Sequence, residues 1–101
     1  MRYTIVWDPT VESHFLEAWL ASDSETREIL TQVASWIDTT LANDPDQKGI
    51  ESSDFSVRIL PVPVSSARVS VVYQVVPDDR IVQVVRLIFQ DEWRRHEQRP
   101  Q

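Results

Sequence analysis

Residues 67–89 read ARVSVVYQVVPDDRIVQVVRLIF, and this stretch decides the fold. Two runs rich in β-branched residues, 67–76 and 81–89, flank the polar sequence PDDR at 77–80. Runs of that composition on either side of Pro and Asp are typical of antiparallel strands joined by a short turn. The sequence therefore predicts a β-hairpin at the centre of the domain.

The hairpin pattern does not decide which face of the sheet is buried. With a four-residue turn, strand parity puts alternate residues of the two strands on a common face. One face then carries Val69, Val71, Tyr73, Val75, Val82, Val84, Arg86 and Ile88. The other carries Arg68, Ser70, Val72, Gln74, Val76, Ile81, Gln83, Val85, Leu87 and Phe89. Both faces are largely apolar, which suggests that a partner covers the face that the helices leave free. Arg68 and Arg86 are predicted on opposite faces.

The elements before the hairpin follow from caps and periodicity. Residues 2–7 alternate as a strand, and Asp8-Pro9 supplies an N-cap and the proline favoured at the first helical position. Apolar residues spaced by three and four continue to Leu20. A second amphipathic helix begins near Ser24, or at a capping box formed by Ser22 and Glu25, and ends at Asn43-Asp44-Pro45.

A polar loop, 45–54, leads from the second helix to the second strand in chain order, at 55–60. Pro61 and Pro63 end this strand or hold it at an edge. Gly49, the chain's one glycine, lies in this loop and is expected to supply a positive φ. The predicted fold class is α+β: an N-terminal strand, two antiparallel helices packed on the sheet, and a three-stranded antiparallel meander. We expect one domain over residues 1–90 and a C-terminal tail over 91–101.

Composition excludes several classes of function. The 101 residues contain no cysteine, so disulfides and thiolate chemistry are impossible. The acidic residues have no third ligand at metal spacing, and His14 beside Ser13 and Glu17 has no accompanying oxyanion loop, so neither a metal site nor a hydrolase triad is indicated. No stretch has the roughly 18 apolar residues of a membrane span, and a cytoplasmic protein without membrane contact is expected.

Charge is divided unevenly along the chain. The net charge is -6, but residues 1–54 carry eleven Asp and Glu against three Lys and Arg. Residues 55–101 carry five acidic residues against seven arginines. An acidic chain repels polyanions at long range, whereas arginine is well suited to bidentate contacts with phosphate or carboxylate. The simplest interpretation is that acidic residues coat the helices and arginines decorate the sheet.

Three motifs in register along residues 3–89 resemble the RelE/ParE superfamily of bacterial type II toxins, also known as plasmid stabilisation proteins. The first is the N-terminal strand that runs into Asp8-Pro9. The second, at 37–49, is a helix end followed by Pro and Gly, in the pattern IDxxLxxDPxxxG. The third, at 71–85, is VVYQV, an acidic turn and IVxVV.

The resemblance implies growth inhibition and an antitoxin partner whose disordered tail wraps the toxin. RelE-like members bind the ribosome and cleave mRNA, and ParE-like members poison DNA gyrase. Neither uses a metal or an organic cofactor. The oligomeric state is not implied.

The cleavage site of the family is only partly present. Arg58 lies in the second predicted strand and matches a basic position of the family, but the arginine expected three residues before the strand tyrosine is Ser70. Gln90 and Asp91 replace the basic pair after the last strand, and no tyrosine follows. The candidate catalytic residues are Arg58, Arg68 and His96. The candidate binding residues are Tyr73, Arg86 and Trp93.

Three functions therefore stay open. The favoured one is a toxin-fold member of a toxin–antitoxin pair that acts by protein binding, since most of the cleavage cluster is missing. The second is a divergent ribosome-dependent endoribonuclease that uses Arg58, Arg68 and His96. The third is a repurposed interaction module without an effect on growth.

Overall fold

In the part of the chain that the structure describes, five strands form one sheet and two helices cover one of its faces. The computed structural model describes residues 2–53, 56–64 and 68–89. Its elements are β1 (Thr4–Trp7), α1 (Pro9–Leu20), α2 (Ser24–Thr40), β2 (Ile50–Glu51), β3 (Arg58–Val62), β4 (Val69–Val76) and β5 (Ile81–Phe89). The strand order is β1-β5-β4-β3-β2, and β1 pairs parallel with β5 whereas the other neighbours are antiparallel. The predicted α+β class is confirmed.

Both helices begin at aspartate N-caps. The Asp8 carboxylate accepts a hydrogen bond from the backbone N–H of Thr10 at 2.9 Å, and Pro9 opens α1 as predicted. The Asp23 carboxylate accepts from the N–H of Thr26 at 2.8 Å, and this bond lowers the pKa of Asp23 below its ordinary value. Asp23 is therefore the N-cap of α2, and the predicted start near Ser24 is confirmed over the alternative capping box of Ser22 and Glu25.

The core lies between α2 and the middle of the sheet. Val33, Ile37 and Leu41 of the α2 segment are fully buried in one cluster with the inner residues of β4 and β5. Those residues are Val69, Val71, Tyr73, Val82 and Val84. The face of the sheet with Val71 and Tyr73 is therefore the one that the helices cover. We call the opposite face, on which neither described helix packs, the open face, although Ser70 and Val72 at its centre are buried.

A β-bulge in β5 corrects the predicted arrangement of the hairpin. Tyr73 pairs with Val84, but the next residue of β4, Val72, pairs with Arg86, so β5 has one extra residue at this point. Beyond a bulge the alternation of side chains is reversed. The prediction that Arg86 and Ile88 share the face of Tyr73 was wrong, because both lie on the open face instead. Leu87 and Phe89 take their places beside the core.

The loop before β3 holds a short strand that the sequence did not predict. Ile50 and Glu51 pair with Ile59 and Arg58, and a 3-10 turn at Pro45–Gln47 precedes them. Because β2 is only two residues long, β3 is the edge of the sheet at Pro61, where a missing N–H is tolerated. The strand predicted at 55–60 corresponds to β3. Its expected first residue, Phe55, lies outside the described residues, and β3 is described from Arg58 onward.

Candidate functional site

Tyr73 anchors the loop between α2 and β2. It lies in the middle of β4 and its side chain is fully buried. Its hydroxyl oxygen lies 2.8 Å from the carbonyl oxygen of Pro45 and 2.7 Å from that of Lys48, so it can donate its proton to either. A buried polar group without a partner is costly, so this hydroxyl, which has one proton to donate, ties the turn at 45–48 to β4. We call Tyr73, Arg58 and loop 45–49 the loop anchor.

Arg58 belongs to the loop anchor and not to the open face. It pairs with Tyr73 across β3 and β4, and it is half-buried. Its Nε donates to the carbonyl of Lys48 at 2.7 Å and its Nη2 to that of Gly49 at 3.4 Å. The guanidinium also hydrogen-bonds the Tyr73 hydroxyl. The donors that would bind a phosphate are thus directed at the protein's own backbone.

The pKa of Tyr73 is raised above its ordinary value, mainly because burial disfavours the charged phenolate, while Arg58 opposes this shift. The group is neutral in the folded protein at physiological pH. A raised pKa in the folded state contributes stability that is fully present below pH 10 and is lost as the pH rises through the folded value. Tyr73 therefore acts in the described structure as a hydrogen-bond donor to the loop.

Replacing Tyr73 with Phe is expected to lower the free energy of unfolding by about 1–3 kcal/mol, because the carbonyls of Pro45 and Lys48 lose the one donor that they share while the ring still packs. Urea denaturation followed by circular dichroism measures this change. The variant also removes the Tyr73 titration, so its stability should fall less between pH 9 and pH 11.5 than that of the wild type. An unchanged midpoint at neutral pH would contradict the assigned role.

The open face carries two arginines. Arg86 is exposed and pairs with Val72. Arg68 is also exposed and directly precedes β4, two residues before Ser70, so the alternation of the strand places it on the same face. Their backbone positions are separated by about 13 Å along the strands, which is four residues of strand rise. Ser70 lies between them and is nearly buried. The bulge therefore brings together two cations that strand parity had predicted apart.

Among the residues that the structure describes, the open face offers side chains that can bind an anion. The described strands place these residues on it: Thr4, Val6, Ile50, Ile59, Pro61, Ser70, Val72, Gln74, Val76, Ile81, Gln83, Arg86 and Ile88. Within this described set there is no Asp, Glu, His, Lys or Tyr. Arginines can hold an anion, but attack of a hydroxyl on phosphorus also needs a group that takes up its proton.

The predicted site residues thus fall into separate groups. Arg58 and Tyr73 lie in the loop anchor on the helix side, and Arg68 and Arg86 lie on the open face. His96 and Trp93, like Gln90 and Asp91, lie outside the described residues, so their roles stay predictions. The sequence did not show that Arg68 and Arg86 lie on the same face, because the Val84-Val85 doublet gives no sign of a bulge.

Within the described part of the chain, no group of three or more His, Asp and Glu side chains could hold a metal ion. Neither described helix is long and apolar enough to cross a membrane.

No family model matches the sequence, and no curated protein matches it either. Solved structures do match the fold. One is the E. coli toxin RelE, a double-arginine mutant in the free state, with a TM-score of 0.61 and 15% identity over 96% of this chain and 93% of that one. Another is the RelBE2 toxin–antitoxin complex from Mycobacterium tuberculosis, with a TM-score of 0.63 and 13% identity over 88% of this chain and 92% of that one. At identities this low, the structural similarity establishes a shared fold and nothing more.

Proposed function

We propose that this chain, which has the fold of the RelE toxins, is the toxin of a type II toxin–antitoxin pair and acts in the cytoplasm by binding a protein target. The observation that carries the proposal is a RelE-like fold over 96% of the chain, in which the described residues do not bring Arg58 together with Arg68 and Arg86. Ser70 stands where the family has an arginine, and Arg58 is turned toward the loop backbone. A similar fold is found in a complex with an antitoxin, which supports an antitoxin partner here.

Electrostatics favours a protein target over RNA. The net charge of -6 repels the phosphate backbone at long range, and ribosome binding would lack electrostatic steering. A protein target imposes no such requirement. DNA gyrase, the target of ParE-like members of the family that the sequence resembles, is the first candidate to test.

The second candidate function, ribosome-dependent RNA cleavage, is favoured by one observation: Arg68 and Arg86 are both exposed on the open face. Two guanidiniums there could contact neighbouring phosphates, with His96 supplying the proton transfer. The third candidate, a repurposed interaction module, predicts no effect on growth at any expression level.

Arg58→Ala is a poor test of cleavage, because the loss of two bonds to the loop changes stability as well. The double variant Arg68→Ala/Arg86→Ala is the sharper test, since both side chains are exposed and their removal leaves the core intact. If the chain cleaves mRNA, this variant should lose the cuts that primer extension detects after induction. If the chain acts by protein binding, transcripts should be uncut with either form.

The antitoxin half of the proposal is tested by co-expression with the small protein encoded beside this chain. We expect the two to co-purify at a fixed ratio through size exclusion, and the partner to restore growth after induction. A small protein from an unrelated pair is the control for general rescue. A neighbouring product that neither binds nor restores growth would contradict this half of the proposal.

A further inference from the structure

The outward side of α1 carries an apolar stripe. Leu16 is 54% exposed and Leu20 is 59% exposed, and their spacing of four places them one above the other on the helix. We call this pair the outer stripe. Two large aliphatic side chains left in water at helical spacing form a contiguous apolar strip, which marks a contact surface more often than an isolated leucine does.

The core does not account for the outer stripe, because α1 meets the domain through other residues. Val11 packs against the core, Phe15 makes an edge-to-face contact with Trp7 at 5.5 Å, and Trp19 donates to Thr31 of α2. No residue of α1 is fully buried. The helix therefore has one apolar side that packs on the domain and a second, narrower one that the described residues leave exposed.

Acidic residues border the outer stripe on both sides. At 3.6 residues per turn, Glu12 lies about 40° to one side of Leu16 and Glu17 about 60° to the other side of Leu20. Residues 3–26 carry five acidic side chains and no Lys or Arg. The next cation, Arg27, is held over the Trp19 ring and donates to the backbone of α1. The α1 side chains that border the stripe are thus acidic, and Arg27 is a cation beside its C-terminal end, bound to the carbonyl of Leu20.

We propose that the outer stripe is a docking surface for a basic amphipathic helix of a partner protein. Apolar anchors of that helix, at spacings of three and four, would cover Leu16 and Leu20. Its flanking Lys and Arg side chains would meet Glu12 and Glu17 at the rim, where complementary charge steers association and sets orientation. A second copy of this chain fits poorly, because its own α1 would bring the same acidic rim against this one.

This inference does not depend on the toxin proposal, since it rests on α1 alone. The probe is a designed, fluorescein-labelled helical peptide of about 18 residues, ~27 Å long. Leucines form one stripe along it and lysines flank the stripe. Binding to the purified chain is followed by fluorescence anisotropy. A second peptide of the same composition, with the leucine periodicity broken, is the probe control.

We expect the wild type to bind the periodic peptide and Leu16→Gln/Leu20→Gln to bind it at least about tenfold more weakly. Ile50→Gln is the matched control, because Ile50 is a 75% exposed aliphatic residue on the open face, and its binding should equal that of the wild type. Glu12→Gln/Glu17→Gln should weaken binding and reduce its dependence on salt. Circular dichroism verifies that each variant is folded. We expect all of them to fold, because the substituted side chains are exposed.

Three results would overturn the inference. The first is no binding of the periodic peptide by the wild type. The second is equal binding by the wild type and Leu16→Gln/Leu20→Gln. The third is concentration-dependent self-association of the wild type, lost in that variant, which would assign the surface to a second copy.

Discussion

Replacing Ile37 with Ala is expected to lower the free energy of unfolding by about 2–5 kcal/mol. Ile37 is fully buried where α2 meets β4 and β5. Its removal would forfeit the transfer of three methyl and methylene groups and leave a cavity that a well-packed core cannot close. A domain of this size has a total stability of about 5–15 kcal/mol, so the loss is a large share of it.

Urea denaturation followed by circular dichroism measures the effect, as a lower midpoint at an unchanged slope. Ile50→Ala is the matched control, because it removes the same atoms from an exposed side chain and should change stability by no more than about 0.5 kcal/mol. Equal midpoints for the two variants would mean that α2 does not pack on the sheet as described.

Gly49→Ala is expected to cost of the order of 3 kcal/mol. Gly49 has a φ of 71°, a left-handed conformation that a Cβ disfavours. An added Cβ would also lie 2.6 Å from the carbonyl oxygen of Ile59 and 3.2 Å from the Tyr73 hydroxyl. The first of these atoms is backbone and cannot turn away, so the loop anchor itself must shift.

The same loop offers a control of opposite sign. Asp44 adopts a φ of 48° without glycine's freedom, and its side chain caps nothing in the 3-10 turn. Asp44→Gly should therefore be neutral or slightly stabilising in the same thermal or urea unfolding experiment. A Gly49→Ala protein as stable as the wild type would contradict the described path of the loop.

The elements that carry strong local signals were predictable from the sequence. Asp8-Pro9 specifies the start of α1 because the cap and the proline act within one turn. The alternation on either side of the PDDR turn specifies the hairpin, and the helix-end pattern around Gly49 correctly predicts a positive φ. In each case the determinant lies within a few residues of what it determines.

The features that the sequence did not reveal depend on contacts between distant residues. The bulge at Val85 and Arg86 depends on how β5 pairs with β4. The Val84-Val85 doublet is compatible with a regular strand and with a bulged one, so it does not predict the bulge. Arg58 and Tyr73 hydrogen-bond the loop that precedes β2 and hold it beside β3. A strand of two residues has too short a sequence pattern to be predicted. Which face the helices cover was equally undecided, because both faces of the hairpin are apolar.

The candidate site changed for the same reason. Arg58, chosen by its match to a family position, hydrogen-bonds the loop backbone, whereas Arg68 and Arg86, separated by strand parity, share the open face after the bulge reverses the alternation. The resemblance gave the correct fold, but side-chain direction depends on the register of each strand, which only the three-dimensional arrangement defines.

Growth of a bacterial host after tight induction of this chain tests the central claim most directly. The wild type and Arg68→Ala/Arg86→Ala are compared at equal, verified levels of folded protein. A toxin that acts by protein binding should arrest growth in both forms. Arrest by the wild type alone would assign the activity to the open face, and cut transcripts in the same cells would identify that activity as RNA cleavage. No arrest by either form, with folded protein accumulating, would contradict the assignment as a toxin.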